Sequence, residues 1–139
     1  MPSSARGPLH GVRVLDLSSV VMGPLATQIL GDLGADVITV EDPKGTLSRV
    51  MTPGPVPQLS GIALNLLRNK RNVVLDLKDP ADRDHTLAIA ATCDVVITNL
   101  RPGTLGRLGL TYEDVAAESD GYPWAWQKTM SGRTAATSS

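Results

Sequence analysis

The stretch VRVLDLSSVVMGPLATQILGDLGADVITVE, residues 12–41, decides the fold. Its first six residues (VRVLDL) alternate and carry β-branched apolar side chains, the pattern of a strand. After the Ser18–Met22 turn, Gly23-Pro24 opens a helix, with proline at a favourable first-turn position. Leu25, Ala26, Ile29, Leu30 and Leu33 recur at helical spacing and are expected to form its buried face. Gly34 stops that helix, and residues 36–41 (DVITVE) read as a second strand. Strand, helix and strand in this order form the right-handed crossover unit of a parallel sheet.

Working outward, the Pro- and Gly-rich residues 42–61 lack periodicity and read as a long loop of the kind that is usually functional or disordered. A short helix at Ile62–Leu67 leads through the basic run Arg68–Arg71 to a third strand at residues 73–77 (VVLDL). Asp79-Pro80 starts the next helix, with the aspartate as N-cap and Leu87, Ala88, Ala90 and Ala91 as its expected buried face. Residues 94–100 (DVVITNL) form a fourth strand, Arg101-Pro102-Gly103 turns the chain, and Thr104–Leu108 makes one helical turn. Thr111, with Asp114 three residues on, caps a last helix through Ala117. The alternation predicts an α/β fold with a parallel sheet and flanking helices.

Composition narrows the functional classes. The chain has 139 residues, enough for one domain, with 42% hydrophobic and 19% charged residues, the balance of a soluble globular protein. A net charge of −1 argues against nucleic acid or a membrane surface as partner. No apolar run is long enough to span a bilayer, and residues 1–7 (MPSSARG) lack the apolar segment of a signal peptide. The single cysteine, Cys93, fits a reducing cytoplasm. The absence of Phe leaves Leu, Val, Ile, Ala and Met to build the core, whereas Tyr122, Trp124 and Trp126 crowd the tail.

Most candidate sites fail on chemistry. Glu41 stands where a dinucleotide fold would hold a ribose, yet the preceding turn (SSVVMG) has one glycine where the phosphate loop needs three. Arg68–Arg71 taken alone reads as a solvated loop. His10 and His85 have no ligand at metal spacing, so no metal is expected. Cys93 reads as a small buried residue rather than a nucleophile, and Ser18 and Ser19 lack a nucleophile-elbow setting. Residues 99–107 (NLRPGTLGR) are more informative, because ligands bind at the carboxyl ends of strands in open α/β sheets. By themselves these residues fit a ligand site and an ordinary turn with surface arginines equally well.

Four stretches in order, PLHGVRVLDLSSVVMGP (8–24), GDLGADVITVE (31–41), NKRNVVLDLKDP (69–80) and DVVITNLRPGTLGRLG (94–109), resemble the class III CoA-transferases. That group includes formyl-CoA transferase, carnitine CoA-transferases and the α-methylacyl-CoA racemases. The resemblance implies that residues 8–118 are the CoA-binding part of a Rossmann-like large domain, and that whole family members form interlocked homodimers. It implies coenzyme A or an acyl-CoA thioester as ligand. Val21 and Met22 would line the nucleotide pocket, and Leu75, Asp76, Leu77 and Lys78 would run along the nucleotide. Asn99, Leu100 and Arg101 would surround the pantetheine arm, and Arg107 would stand near the phosphates.

Two departures from the family pattern stand out. Asp42 occupies a position where formyl-CoA transferase has an arginine, leaving Lys44 or the Arg68–Arg71 run as substitutes. In the transferases an aspartate of a Gly-Asp motif attacks the thioester, and no such motif follows Thr111. The racemases use a His and an Asp, and Tyr122-Pro123 stand at the corresponding place. On this reading the chain is a truncated segment without a catalytic residue, transferase-like or racemase-like, or a module that pairs with a second polypeptide. Residues 119–139 are either a shortened family segment or unrelated, frameshifted sequence.

Overall fold

The computed structural model describes residues 7–118 and the backbone of Trp124–Gln127. Its parallel sheet contains β1 (Arg13–Asp16), β2 (Asp36–Glu41), β3 (Lys70–Val74), β4 (Val95–Thr98) and β5 (Trp124–Gln127), in the order β3-β2-β1-β4-β5. The helices are α1 (Met22–Asp32), α2 (Gly61–Leu66), α3 (Pro80–Ala90), α4 (Pro102–Leu108) and α5 (Tyr112–Ala117). The α/β parallel fold is as expected. The chain winds from β1 outward to β3, then returns to place β4 on the other side of β1. That reversal puts a topological switch point between β1 and β4. The alternative readings of residues 119–139, including Tyr122 and Pro123, lie outside the described residues. Within that tail, β5 pairs with β4 along Val95–Thr98.

Strand alternation divides the core in two. On one face Val14, Val37 and Ile97 pack with Ala35. On the other, Leu15, Leu17, Val40, Leu75 and Val96 pack with Ala90, Cys93, Leu105, Leu110 and Val115. Cys93 belongs to this second cluster, where burial pushes its thiol pKa up, as the structural reading of that residue expects.

Several caps form as the sequence predicts. The Asp79 side chain accepts from the N–H groups of Ala81 and Asp82, and Ser60, which the sequence reading did not single out, caps α2 through Ala63 N–H. Thr111 and Asp114 make a reciprocal capping box on α5. Gly34 ends α1 at φ +100°.

Three expectations are corrected. The third strand covers Lys70–Val74 rather than residues 73–77, because Asn69 turns the chain at φ +56° directly after α2 and pairing with β2 begins at Lys70. Residues 42–61 form the expected loop, holding a short 3₁₀ turn at Leu47–Arg49 anchored by an Arg49–Glu41 ion pair at 2.5 Å, with Ser48 and Ser60 buried. In α3 the buried residues are Thr86 and Ala90, and Ala88 and Ala91 are exposed. The helix turns that side inward because Thr86 satisfies its own hydroxyl on the Asp82 carbonyl, 2.9 Å away.

The largest correction concerns α1. Leu25, Ile29 and Leu33 are exposed, at 37%, 49% and 41%, whereas Pro24, Thr27 and Gln28 face inward. The sheet face beneath the helix is polar, carrying Asp16, Thr39 and Lys70. A threonine hydroxyl matches that surface and a leucine does not.

Candidate functional site

Every residue expected to touch a ligand, apart from Arg107 in the last turn of α4, lies in a turn or helix start following the carboxyl end of a strand. The β1–α1 turn carries Val21 and Met22, the β3–α3 turn carries Leu75–Lys78, and the β4–α4 turn carries Asn99–Arg101. The first and third flank the switch point, the usual ligand crevice of an open α/β sheet.

Those two turns are tied together. The Asn99 carboxamide accepts from Ser19 N–H at 3.0 Å and donates to the Ser19 carbonyl at 2.8 Å, clamping both backbone groups of one residue. The next residue, Val20, is held at φ +70°, a left-handed conformation that a β-branched side chain adopts only under strain. Asn99 is therefore engaged with the protein's own backbone. Among the described residues no side chain caps α1 or α4, whose first turns both begin beside this crevice. Met22 is 73% exposed at its edge.

Beneath the turn lies a charged anchor. The Lys70 ammonium donates to Asp16 at 3.1 Å, to the Pro24 carbonyl at 2.9 Å and to Thr27 at 2.7 Å. Asp16 also accepts from the Ser18 N–H and hydroxyl. Burial pulls the Lys70 pKa below its ordinary value despite the opposing attraction of Asp16. The solvated-loop reading of Arg68–Arg71 is thus corrected, since Lys70 is interior. Arg68 pairs with Asp32 at 2.6 Å and Arg71 with Asp36 at 2.7 Å. Lys70 has its donors satisfied inside the chain and is not available at the phosphate position of Asp42, whereas Arg68 and Arg71 form partly exposed, screened pairs. The Asp42 carboxylate itself accepts from Lys44 N–H.

Glu41 is likewise committed. Burial pushes its carboxyl pKa up, but hydrogen bonds from Arg49, Asn72 and Thr46 N–H outweigh this and hold it below its ordinary value.

A second feature joins the other two motifs. Leu77, Lys78, Asp79 and Pro80 line a cavity of about 350 Å³ with Arg83 of α3 and Thr104, Arg107 and Leu108 of α4. The structure thus brings Leu77, Lys78 and Arg107 together. Leu75 is buried in the core, and Asp76 holds the turn by accepting from Lys78 N–H. Leu100 packs against the core, and Arg101 is exposed at the start of α4. The sequence reading missed Ser19, Arg83 and Thr104. Arg83 had a signal, since it lies one helical turn beyond the Asp79 cap and so above the β3–α3 turn.

Comparison with known proteins agrees with this architecture. Residues 9–120 match CoA-transferase family III. Over 109 residues the chain is 46% identical to the succinyl-CoA:glutarate CoA-transferase of Mus musculus, covering 78% of this chain and 25% of the relative. It is 41% identical to the formyl-CoA:oxalate CoA-transferase of Rhodopseudomonas palustris, covering 77% of this chain and 25% of that protein. The chain thus spans about a quarter of the length of these relatives. Among solved structures, a CAIB/BAIF family protein from Brucella suis superposes with a TM-score of 0.77 at 35% identity, covering 82% of this chain and 31% of the other. With a family match over most of its length and a shared fold, the chain belongs to CoA-transferase family III.

Proposed function

We propose that the chain binds the nucleotide portion of a coenzyme A thioester and serves the transfer of CoA between carboxylic acids. The observation carrying this reading is the cavity that brings Lys78 and Arg107 together from two motifs distant in sequence. CoA carries a diphosphate and a phosphate monoester, anions that fixed cations and helix N-termini recognise. The names of the relatives, succinyl-CoA:glutarate and formyl-CoA:oxalate CoA-transferase, support the reaction class.

On this reading the crevice between β1 and β4 receives the pantetheine arm, and the Ser19–Asn99 clamp shapes its floor. Asn99, Leu100 and Arg101 stand around that arm, Val21 and Met22 line the nucleotide pocket, Leu75–Lys78 follow the nucleotide, and Arg107 stands near the phosphates. In this proposal these residues serve binding and positioning of the thioester, and the covalent step is assigned to other residues. No metal enters the proposal.

Calorimetric titration of the 139-residue chain with CoA, with circular dichroism on the same sample, tests the reading. A folded chain that takes up CoA stoichiometrically supports it, and a folded chain that ignores CoA removes it. CoA transfer between carboxylates by the isolated chain would contradict the assignment of the covalent step to other residues.

A further inference from the structure

Arg83 lines the same cavity as Lys78 and Arg107 but belongs to none of the stretches that carry the family resemblance. Three cations therefore face one cavity whose only carboxylate among the described lining residues is Asp79, and Asp79 already accepts from two α3 N–H groups. Arg83 is held loosely. Its guanidinium pairs with the adjacent Asp84 at 2.9 Å, where the two side chains are 39% and 66% exposed, so water screens the pair strongly.

Its position is nevertheless defined. Gly109 closes α4 at φ +63°, and a Cβ built there would lie 3.3 Å from Arg83 Cδ and 3.6 Å from Nη1. The arginine stem thus lies across the one residue of this turn that has no side chain. Apolar walls from Leu77, Pro80 and Leu108 complete the cavity, and no residue of the β1–α1 turn lines it. It is separate from the crevice proposed for the pantetheine arm, so it suits the end of the ligand remote from the thiol. A phosphate monoester is the group that best uses three cations. It is a dianion with three terminal oxygens, whereas each phosphate of a diphosphate bridge carries one charge.

Resting on the CoA-binding reading above, we infer that Arg83 recognises the 3′-phosphate of the ribose and lets the chain distinguish CoA from dephospho-CoA. Asp84 gives up its partner when the phosphate enters.

The test is calorimetric titration of the whole chain and of the Arg83→Gln and Arg83→Lys variants with CoA and with dephospho-CoA. The wild-type chain should prefer CoA by roughly 10-fold or more, as expected for a charge-assisted contact. Arg83→Gln should lose most of that preference by weakening CoA alone, while dephospho-CoA binding stays within about twofold. Arg83→Lys should keep part of the preference, since it retains the charge without the guanidinium fork. Equal weakening of both ligands by Arg83→Gln, or no change in either, would overturn the inference while leaving the CoA-binding reading intact. A folded wild-type chain that binds neither ligand removes that reading and the inference with it. Because Arg83 is partly exposed, all three proteins should give the same circular dichroism spectrum.

Discussion

The Lys70 ammonium lies 3.1 Å from the Asp16 carboxylate, with the two side chains only 1% and 0% exposed. This contact bridges 54 residues of sequence and fixes β3, β1 and α1 relative to one another. Every donor of the ammonium has a protein acceptor, the condition under which a buried pair is tolerated. Removing one partner strands the other charge. Lys70→Met should therefore destabilise the chain by about 3–5 kcal/mol in urea unfolding, and the double variant Asp16→Asn/Lys70→Met by less than the sum of the singles. A loss below about 1 kcal/mol for Lys70→Met would mean the pair is solvated in solution.

Acid should weaken the fold through Glu41 and Asp36. Burial opposes both shifts, but hydrogen bonds from Arg49 and Asn72 to Glu41, and from Arg71 and Arg13 to Asp36, lower each folded-state pKa. Both carboxylates are then more acidic folded than unfolded, so the unfolded chain binds more protons as pH falls. Their contribution is present above the ordinary values of 4.5 and 3.8 and declines as pH falls through the folded values. Unfolding free energies measured from pH 7 downward should show this decline, and Glu41→Gln should flatten its onset. An unchanged slope in Glu41→Gln would exclude Glu41 as a source.

The Ser19–Asn99 clamp and the strain at Val20 predict opposite signs. Asn99→Ala removes two hydrogen bonds to the backbone of Ser19 and should cost about 0.5–1.5 kcal/mol, with weaker CoA binding as the turn relaxes. Val20→Gly removes the steric cost of a left-handed valine and should stabilise the fold by about 1 kcal/mol. Thermal melts of the two variants check both signs, and a destabilised Val20→Gly would show that the valine side chain matters more than its backbone strain.

At Gly109 stability and binding should change together. Alanine there meets the left-handed penalty and crowds Arg83 at 3.3 Å, so Gly109→Ala should lose about 1 kcal/mol of stability. Its preference for CoA over dephospho-CoA should also fall. Full preference in Gly109→Ala would show that Arg83 does not depend on this contact.

Arg107→Ala should weaken CoA binding by about 1.5–3 kcal/mol, the worth of a hydrogen bond to a charged group. Its side chain is exposed and bonds only to Thr104 among the described contacts, so the melting temperature should scarcely move. Unchanged CoA affinity would remove Arg107 from the site.

The local chemistry of the sequence determined the elements and their order. Alternation marked β1, β2 and β4, and Asp79, Thr111 and Gly34 marked helix ends, because capping and pleating act between residues a few positions apart. The same signals located three turns at the carboxyl ends of strands. Tertiary structure alone decided which way the elements face. The leucine stripe of α1 looked like its inner side, yet the polar network of Asp16, Thr39 and Lys70 draws Thr27 inward instead. Lys70 looked solvated until an aspartate 54 residues earlier claimed it, and Asn99 was committed by a serine 80 residues away. Arg83, Lys78 and Arg107 became one cavity only when α3 and α4 folded over the same edge of the sheet. A side chain's partners across such distances leave no local pattern, because they are set by packing and not by spacing along the chain.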